Sequence, residues 1–161
     1  MKIFIQVLSA FFVAFALVGA EPTKPSLLQI RLVQESAGAD TEQMTFTHLT
    51  KDEDRKVQEI VHVQKTPLLD QTSVSSAAVQ KDPITGAPEI NVTLTANGRK
   101  LFAEVTCRNI GKRLAIVVDG KLLSVPRIAG EIPGGSLPIS ARLYEQEIND
   151  LAAKINNAAK K

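Results

Sequence analysis

The chain has 161 residues, 44% of them hydrophobic, and a formal net charge of +2. A chain of this length normally forms one domain, because about 100–150 residues is the commonest domain size. The near-balance of charge argues against a nucleic-acid partner, which usually needs a concentrated basic face. The lysines at the end of the chain, Lys154, Lys160 and Lys161, are better explained as the positive end of a helix.

The first 20 residues have the features of an export signal. Lys2 gives a short positive start, residues 3–18 are almost entirely apolar, and residues 18–20 offer small or modest side chains for cleavage. We therefore expect cleavage after Ala20 and a periplasmic or secreted location. The alternative is an uncleaved anchor, since about 17 apolar residues just span a bilayer, and only then would the membrane be a partner.

Few residue types that carry chemistry are present. The single cysteine, Cys107, has no partner for an internal disulfide, and its hydrophobic neighbours are typical of a small buried side chain. His48 and His62 have no metal-ligand spacing, and no nucleophile elbow or phosphate loop occurs. We therefore expect no catalytic, cofactor-binding or metal-binding residues and no enzyme activity.

The first half of the chain predicts strands separated by polar segments. Residues 21–26 contain two prolines and predict a linker, so residues 27–161 are expected to form the domain. Alternation over residues 28–32 predicts a half-buried strand, and residues 60–63 a short second one. The polar composition of residues 36–56 indicates a solvated loop.

The middle of the chain predicts a hairpin followed by a helix. Its arms are residues 74–80 and 89–95, and residues 82–86 carry turn chemistry between them. Thr95 is a suitable helix N-cap and Gly111 a suitable C-cap. The apolar residues expected along one face of this helix are Leu101, Phe102, Val105 and Ile110.

The last third predicts a second hairpin and a second helix. Residues 114–118 form an apolar run typical of a buried strand, and Asp119-Gly120 is a strong signal for a two-residue turn back into residues 121–125. After a loop rich in Gly and Pro, a helix from about Tyr144 places four apolar side chains on one face: Ile148, Leu151, Ala152 and Ile155. The expected fold class is α+β, a mainly antiparallel sheet with two amphipathic helices on one face.

Residues 88–156 resemble the head subdomain of the first periplasmic domain of SecD, part of the bacterial SecDF protein-export component. The matching segments, in chain order, are Gly98–Phe102, Thr106, Asn109–Gly111, Leu114–Gly120, Ser124–Pro126, Ile132, Gly134-Gly135, Ile139-Ser140 and Leu151-Ala152. Two positions depart from the family pattern, because Ala141 replaces a usual glycine and Leu143-Tyr144 a common Phe-Thr. The backbone entering the last helix is therefore expected to differ.

The resemblance implies a non-catalytic binding or accessory module that contacts translocated polypeptide or a protein partner in the periplasm, with no cofactor. SecD also carries transmembrane helices for a proton-driven cycle, and residues 21–161 contain no apolar segment long enough to supply one. The alternative is a secreted structural or inhibitor-like protein that shares only the fold. The sequence leaves the oligomeric state open.

A candidate partner-binding surface lies between Asp119 and Ser140. Apolar residues there are strung along turns rich in Gly and Pro, and those that stay outside the core would suit an extended chain. The candidate residues are Leu123, Val125, Ile128, Ile132 and Leu137.

Overall fold

The computed structural model describes residues 26–49, 56–140 and 144–160. The predicted signal, its cleavage after Ala20 and all of the linker except Ser26 lie outside these residues, as do Ala141 and Leu143. No helix in the described ranges is long and apolar enough to cross a membrane.

Nine strands and two α-helices make up the described part of the chain. In chain order they are β1 (Leu28–Gln34), β2 (Thr41–Leu49), β3 (Lys56–Gln64), β4 (Leu69–Asp70), β5 (Val74–Lys81), β6 (Pro88–Leu94), α1 (Ala96–Arg108), β7 (Leu114–Val118), β8 (Lys121–Ser124), β9 (Ser136–Ile139) and α2 (Glu145–Ala159). A 3₁₀ turn, Gln71–Ser73, joins β4 to β5.

The strands form two sheets, which corrects the expectation of one. The larger sheet has the order β2-β3-β1-β7-β8, with β4 also paired to β1, and the smaller has the order β5-β6-β9. All these pairings are antiparallel. The α+β class with mainly antiparallel pairing and two helices is as predicted.

One core joins both sheets and both helices. The larger sheet contributes alternate residues of β1 and β7, the smaller sheet contributes Ile90, Val92 and Leu94, and the helices contribute Phe102, Ile148, Ala152 and Ile155. The ring of Phe102 is fully buried, whereas Leu101 is 41% exposed. The predicted apolar face of α1 is therefore wrong at Leu101 and at Ile110, which lies beyond the helix and is also exposed.

A second, smaller cluster lies on the opposite face of the larger sheet. It consists of Val33, Val61, Val63, Ala115 and Val117. These side chains are buried although both helices lie in the other core, because the sheet curls and brings its end strands, β2 and β8, near each other. The apolar run of β7 is thus covered on both faces, as predicted.

Three strands were not predicted from the sequence: β2, β9 and the two-residue β4. Residues 36–56 were expected to be a loop but contain β2 and the first residue of β3, and β9 lies in the segment expected to be a loop. Larger and polar side chains alternate along β2, but Met44 and Phe46 are its only apolar side chains before residue 49. A polar strand of this kind is formed by pairing with β3 rather than by a hydrophobic pattern.

The predicted caps and turns are largely confirmed. Thr95 caps α1 by accepting a hydrogen bond from the Gly98 N–H at 3.0 Å. The C-cap is Asn109 instead of Gly111, whose φ of +85° serves the turn that follows. Asp119 and Gly120 both have positive φ, 52° and 74°, as a two-residue hairpin turn of this kind requires.

The glycine loop, residues 130–135 before β9, is anchored by a buried hydroxyl on α1. Thr106 is fully buried; its hydroxyl donates to the Phe102 carbonyl at 2.8 Å and accepts from the Ile132 N–H at 3.0 Å. Ile132 in turn packs against the main core. The loop is therefore part of the packed structure and not a free surface segment.

Candidate functional site

An open groove of about 1040 Å³ lies beside the edge of the larger sheet. Residues 43–48 of β2 form one wall, and residues 120–123, from the β7–β8 turn and β8, form another. The turn end of the β5–β6 hairpin supplies the rest, together with Lys56 and Ser140. The groove is therefore built from three hairpins that are distant in sequence.

The groove runs along strand edges. Side chains of a strand alternate between the two faces of its sheet. Six consecutive residues of β2 line the groove, so residues from both faces do so, which means that the groove runs along the backbone edge of β2. In the described residues β2 pairs only with β3, and β8 pairs only with β7. The two end strands approach to within 8 Å between Cα atoms without forming a paired register.

The groove has apolar side chains next to the smaller core. Met44 of β2 and Leu122 of β8 both line it and both pack against the second cluster. Phe46 stacks on His48, with ring centroids 5.3 Å apart and planes inclined by 22°. An apolar surface is thus available beside an exposed main chain.

The charged side chains of the groove balance one another. Lys56 and Lys121 are matched by Asp82 and Glu89. Asp82 is held by its own turn, because one carboxylate oxygen accepts from the N–H groups of Ile84 and Thr85 and from the Thr85 hydroxyl. These bonds, chiefly those from Thr85, hold the pKa of Asp82 below its usual 3.8.

Glu89 is also fully engaged. It is buried, and its two carboxylate oxygens accept from the Gln80 amide at 2.8 Å and from the Ser140 hydroxyl at 3.2 Å. Glu89 therefore links β5, β6 and the residue that follows β9 at one end of the groove.

Two ion pairs brace the curled sheet behind the groove. Arg113 pairs with Glu59 at 2.8 Å, and Arg31 pairs with Glu42. The hydrogen bond from Arg113 is the main reason that the pKa of Glu59 lies below its usual 4.5. Both acids belong to the β2–β3 hairpin, whereas Arg31 lies on β1 and Arg113 immediately precedes β7, so the pairs link the hairpin to the rest of the sheet.

The five residues expected to form a partner surface differ in exposure, and each belongs to or packs against one of the two core clusters. Ile128 and Leu137 are 2% and 5% exposed and belong to the main core. Leu123, Val125 and Ile132 are half-buried, and of these only Leu123 lines the groove. The main wall, β2, was not predicted from the sequence, although Gln43, Thr45 and Thr47 alternate there with Met44, Phe46 and His48, a period-2 pattern.

The remaining candidates for chemistry are dispersed. Cys107 is exposed, contrary to the expected burial, because it lies on the solvent side of α1. His48 and His62 are half-buried and lie on opposite faces of the β2–β3 hairpin, given the register that pairs His48 with Val57 and His62 with Gln43. In the parts of the chain that the structure describes, no three His, Cys, Asp or Glu side chains group as metal ligands.

This combination of two antiparallel sheets and two helices has solved counterparts. A structure of SecDF, described as a membrane component that enhances protein export, superposes with a TM-score of 0.62 at 29% identity, covering 81% of this chain and 62% of that one. A crystal structure of SecDF in a super-membrane-facing form gives a TM-score of 0.61 at 29% identity, covering 81% of this chain and 18% of that one.

Sequence comparison points to the same family of proteins as the structural matches. The chain is 40% identical over 92 residues to protein translocase subunit SecD of Leptotrichia buccalis, covering 57% of this chain and 22% of that protein. It is 37% identical over 93 residues to protein translocase subunit SecDF of Thermus thermophilus, covering 58% and 12%. The chain therefore spans about a fifth or less of the length of these relatives.

The family model of the SecDF P1 head subdomain matches residues 43–159. That match covers more than half of the chain, so the chain belongs to the SecDF P1 head subdomain family. The resemblance stated from the sequence is confirmed, and the match extends it toward the N-terminus to include most of β2 and all of β3, β4 and β5.

Proposed function

We propose that this protein is a non-catalytic binding module that contacts unfolded polypeptide during protein export, on the periplasmic side of the membrane. The observation that carries the proposal is the groove, in which an unpaired strand edge lies next to apolar side chains and balanced charges. Membership of the SecDF P1 head family supplies the context of export. The predicted signal at residues 1–20 supports the location.

Unfolded polypeptide suits this groove because every unfolded chain offers backbone hydrogen-bonding groups and scattered apolar side chains. Its backbone pairs with the free edge of β2, and its apolar side chains contact Met44, Phe46 and Leu122. Balanced charge in the wall favours neither acidic nor basic segments. Binding of this kind is weak and tolerant of sequence, which a domain that handles many different chains requires.

The acidic groups of the groove support a binding role over a catalytic one. Asp82 and Glu89 already accept hydrogen bonds from their own neighbours, so neither is poised as a general base toward a bound molecule. The low pKa of Asp82 likewise makes that carboxyl a poor proton donor near neutral pH.

The test is binding of a permanently unfolded, carboxymethylated protein that carries a fluorophore, followed by anisotropy. We expect saturable binding that Phe46→Thr weakens about tenfold, because loss of apolar burial worth about 1.5 kcal/mol corresponds to that ratio. Ile60→Thr is the matched control, since Ile60 is 64% exposed on the other face of the same hairpin.

Absence of binding by the unaltered protein would overturn the proposal and favour the structural or inhibitor-like alternative. Equal weakening by both substitutions would remove the groove as the site. Turnover of the test protein into smaller products would contradict the non-catalytic role.

A further inference from the structure

We infer that the bound polypeptide adds to the free edge of β2 as an extra strand and is recognised chiefly through its main chain. The inference rests on the proposed function and adds to it the mode of binding and the residues whose backbone groups carry it. The occupant is one extended segment of an unfolded polypeptide.

The backbone groups that face the groove follow from the register of the β2–β3 hairpin. The Lys65 N–H donates to the Asp40 carbonyl at 2.8 Å, and these two residues continue the register in which Thr41 faces Gln64. Hydrogen-bonded and non-hydrogen-bonded pairs alternate in an antiparallel ladder. The even-numbered residues 42–48 therefore bond to β3, whereas Gln43, Thr45 and Thr47 direct their N–H and C=O groups to the open edge.

The smaller sheet has the opposite arrangement, because both of its edges are blocked. On β5, the side-chain amide of Asn156 from α2 accepts from the Ala77 N–H at 2.8 Å and donates to the Ala77 carbonyl at 2.7 Å, as a neighbouring strand would. On β9, the Leu94 N–H donates to the Gly135 carbonyl at 2.8 Å, and the same alternation turns Pro138 outward. Proline offers no N–H to an incoming strand.

Neither a proline nor a side-chain amide occupies the edge of β2 within the described residues, and the nearest strand on that side is β8, within 8 Å between Cα atoms. The strand is nine residues long, contains no proline, and has open-edge positions occupied by Gln and Thr, which suit strands exposed to water. An exposed edge of this length is a template for another chain unless it is protected. Because the edges of the smaller sheet are blocked and the β2 edge of the larger sheet is not, an extended partner is expected to pair with β2.

The chemistry of the wall selects an unfolded segment over a folded partner. Main-chain donors and acceptors are the same for every sequence, and the groove charges, Lys56 and Lys121 against Asp82 and Glu89, sum to zero. A strand seated between β2 and β8 needs about 9.6 Å between them, twice the usual strand spacing. The two edges approach to within 8 Å, so binding along the whole of β2 separates them by at least about 1.6 Å.

The experiment compares Thr45→Pro with Thr45→Val, using a synthetic uncharged peptide of about 10 alternating Val and Thr residues, long enough to pair along β2. Proline removes the outward N–H of residue 45 without removing a bond to β3, whereas valine keeps that N–H and the side-chain shape. We expect Thr45→Pro to weaken binding about tenfold, the equivalent of one lost hydrogen bond and a blocked edge, and Thr45→Val to bind as the unaltered protein does.

Amide hydrogen exchange of the unaltered protein, followed by NMR, gives a second measurement that does not depend on the variants folding. On addition of the peptide, we expect slower exchange at residues 43, 45 and 47 and no change at residues 44 and 46, whose N–H groups already bond to β3. Only addition of a strand gives this alternation.

The outcomes separate this inference from the proposed function. Peptide binding without the alternation, or binding unaffected by Thr45→Pro in a protein that melts normally, would overturn strand addition and leave polypeptide binding in place. No binding would overturn both. Alternating protection that grows with protein concentration in the absence of peptide would assign the edge to a second copy of this chain and contradict the inference.

Discussion

Gly98 lies where the first turn of α1 presses against the 3₁₀ turn before β5. A Cβ atom at Gly98 would be 2.4 Å from the carbonyl oxygen of Ser73 and 2.9 Å from its Cβ. That carbonyl already accepts from the Thr95 N–H at 2.9 Å, and the Thr95 hydroxyl caps the helix. The absence of a side chain at one residue thus lets α1 and the smaller sheet meet.

The close contact at Gly98 predicts that Gly98→Ala destabilises the protein, the opposite of the usual effect of replacing glycine by alanine in a helix. Glycine inside a helix normally costs about 1 kcal/mol relative to alanine, so replacement would ordinarily stabilise. Here we expect Gly98→Ala to lower the free energy of unfolding by about 1–3 kcal/mol, because the backbone must shift to admit a methyl group. Urea denaturation followed by circular dichroism measures the change.

Gly38→Ala is the control for this prediction. Gly38 is exposed, and no neighbouring heavy atom would lie within 4 Å of a Cβ added there. Its replacement should leave stability unchanged or raise it slightly, by about 0.4–1 kcal/mol. A Gly98→Ala protein as stable as the parent would mean that the helix does not pack this closely.

At the scale of elements, hairpins were the most predictable part of the chain and polar strands the least. The turns at residues 82–86 and 119–120 carry their own chemistry, so local sequence identified both hairpins. The buried side of α1 consists of Gly98, Phe102 and Thr106, and a search for apolar residues identified Phe102 but not its buried neighbours, and wrongly added Leu101. Strand β2 has a period-2 alternation, but Met44 and Phe46 are its only apolar residues before position 49, and the strand forms by pairing with β3.

The turn of the β5–β6 hairpin predicts a dependence of stability on pH. The folded-state pKa of Asp82 lies below 3.8, so the unfolded chain binds this proton more readily. The stabilisation is therefore fully present above about pH 4 and is lost as the pH falls through the folded-state pKa. Asp82→Asn should melt at a lower temperature than the parent at pH 7, with the gap closing as the pH falls below about 3.8.

The control for the Asp82 prediction is Glu131→Gln, which removes a carboxylate from an exposed position of the glycine loop. Its melting temperature should follow that of the parent across the same pH range. A gap between Asp82→Asn and the parent that stays constant with pH would indicate that the charge of Asp82 does not stabilise the turn.

At the scale of the whole molecule, the sequence predicted the α+β class, both helices and the family. It did not predict two sheets, because the division depends on which distant strands pair, and β9 joins β6 across 41 intervening residues that include α1. The groove was beyond local reasoning for the same reason. Its walls come from three hairpins, and the one apolar residue correctly placed beside it, Leu123, lies on a strand that was itself predicted.

The most direct test of polypeptide handling is site-specific photocrosslinking in growing cells. A photoreactive residue at position 45 lies in the groove wall, and one at position 153 lies on the exposed side of α2 as the matched control. We expect position 45 to form crosslinks to many exported chains while they are still unfolded, and position 153 to form few. Equal crosslinking from both positions, or crosslinks from position 45 to a single folded protein only, would contradict the account.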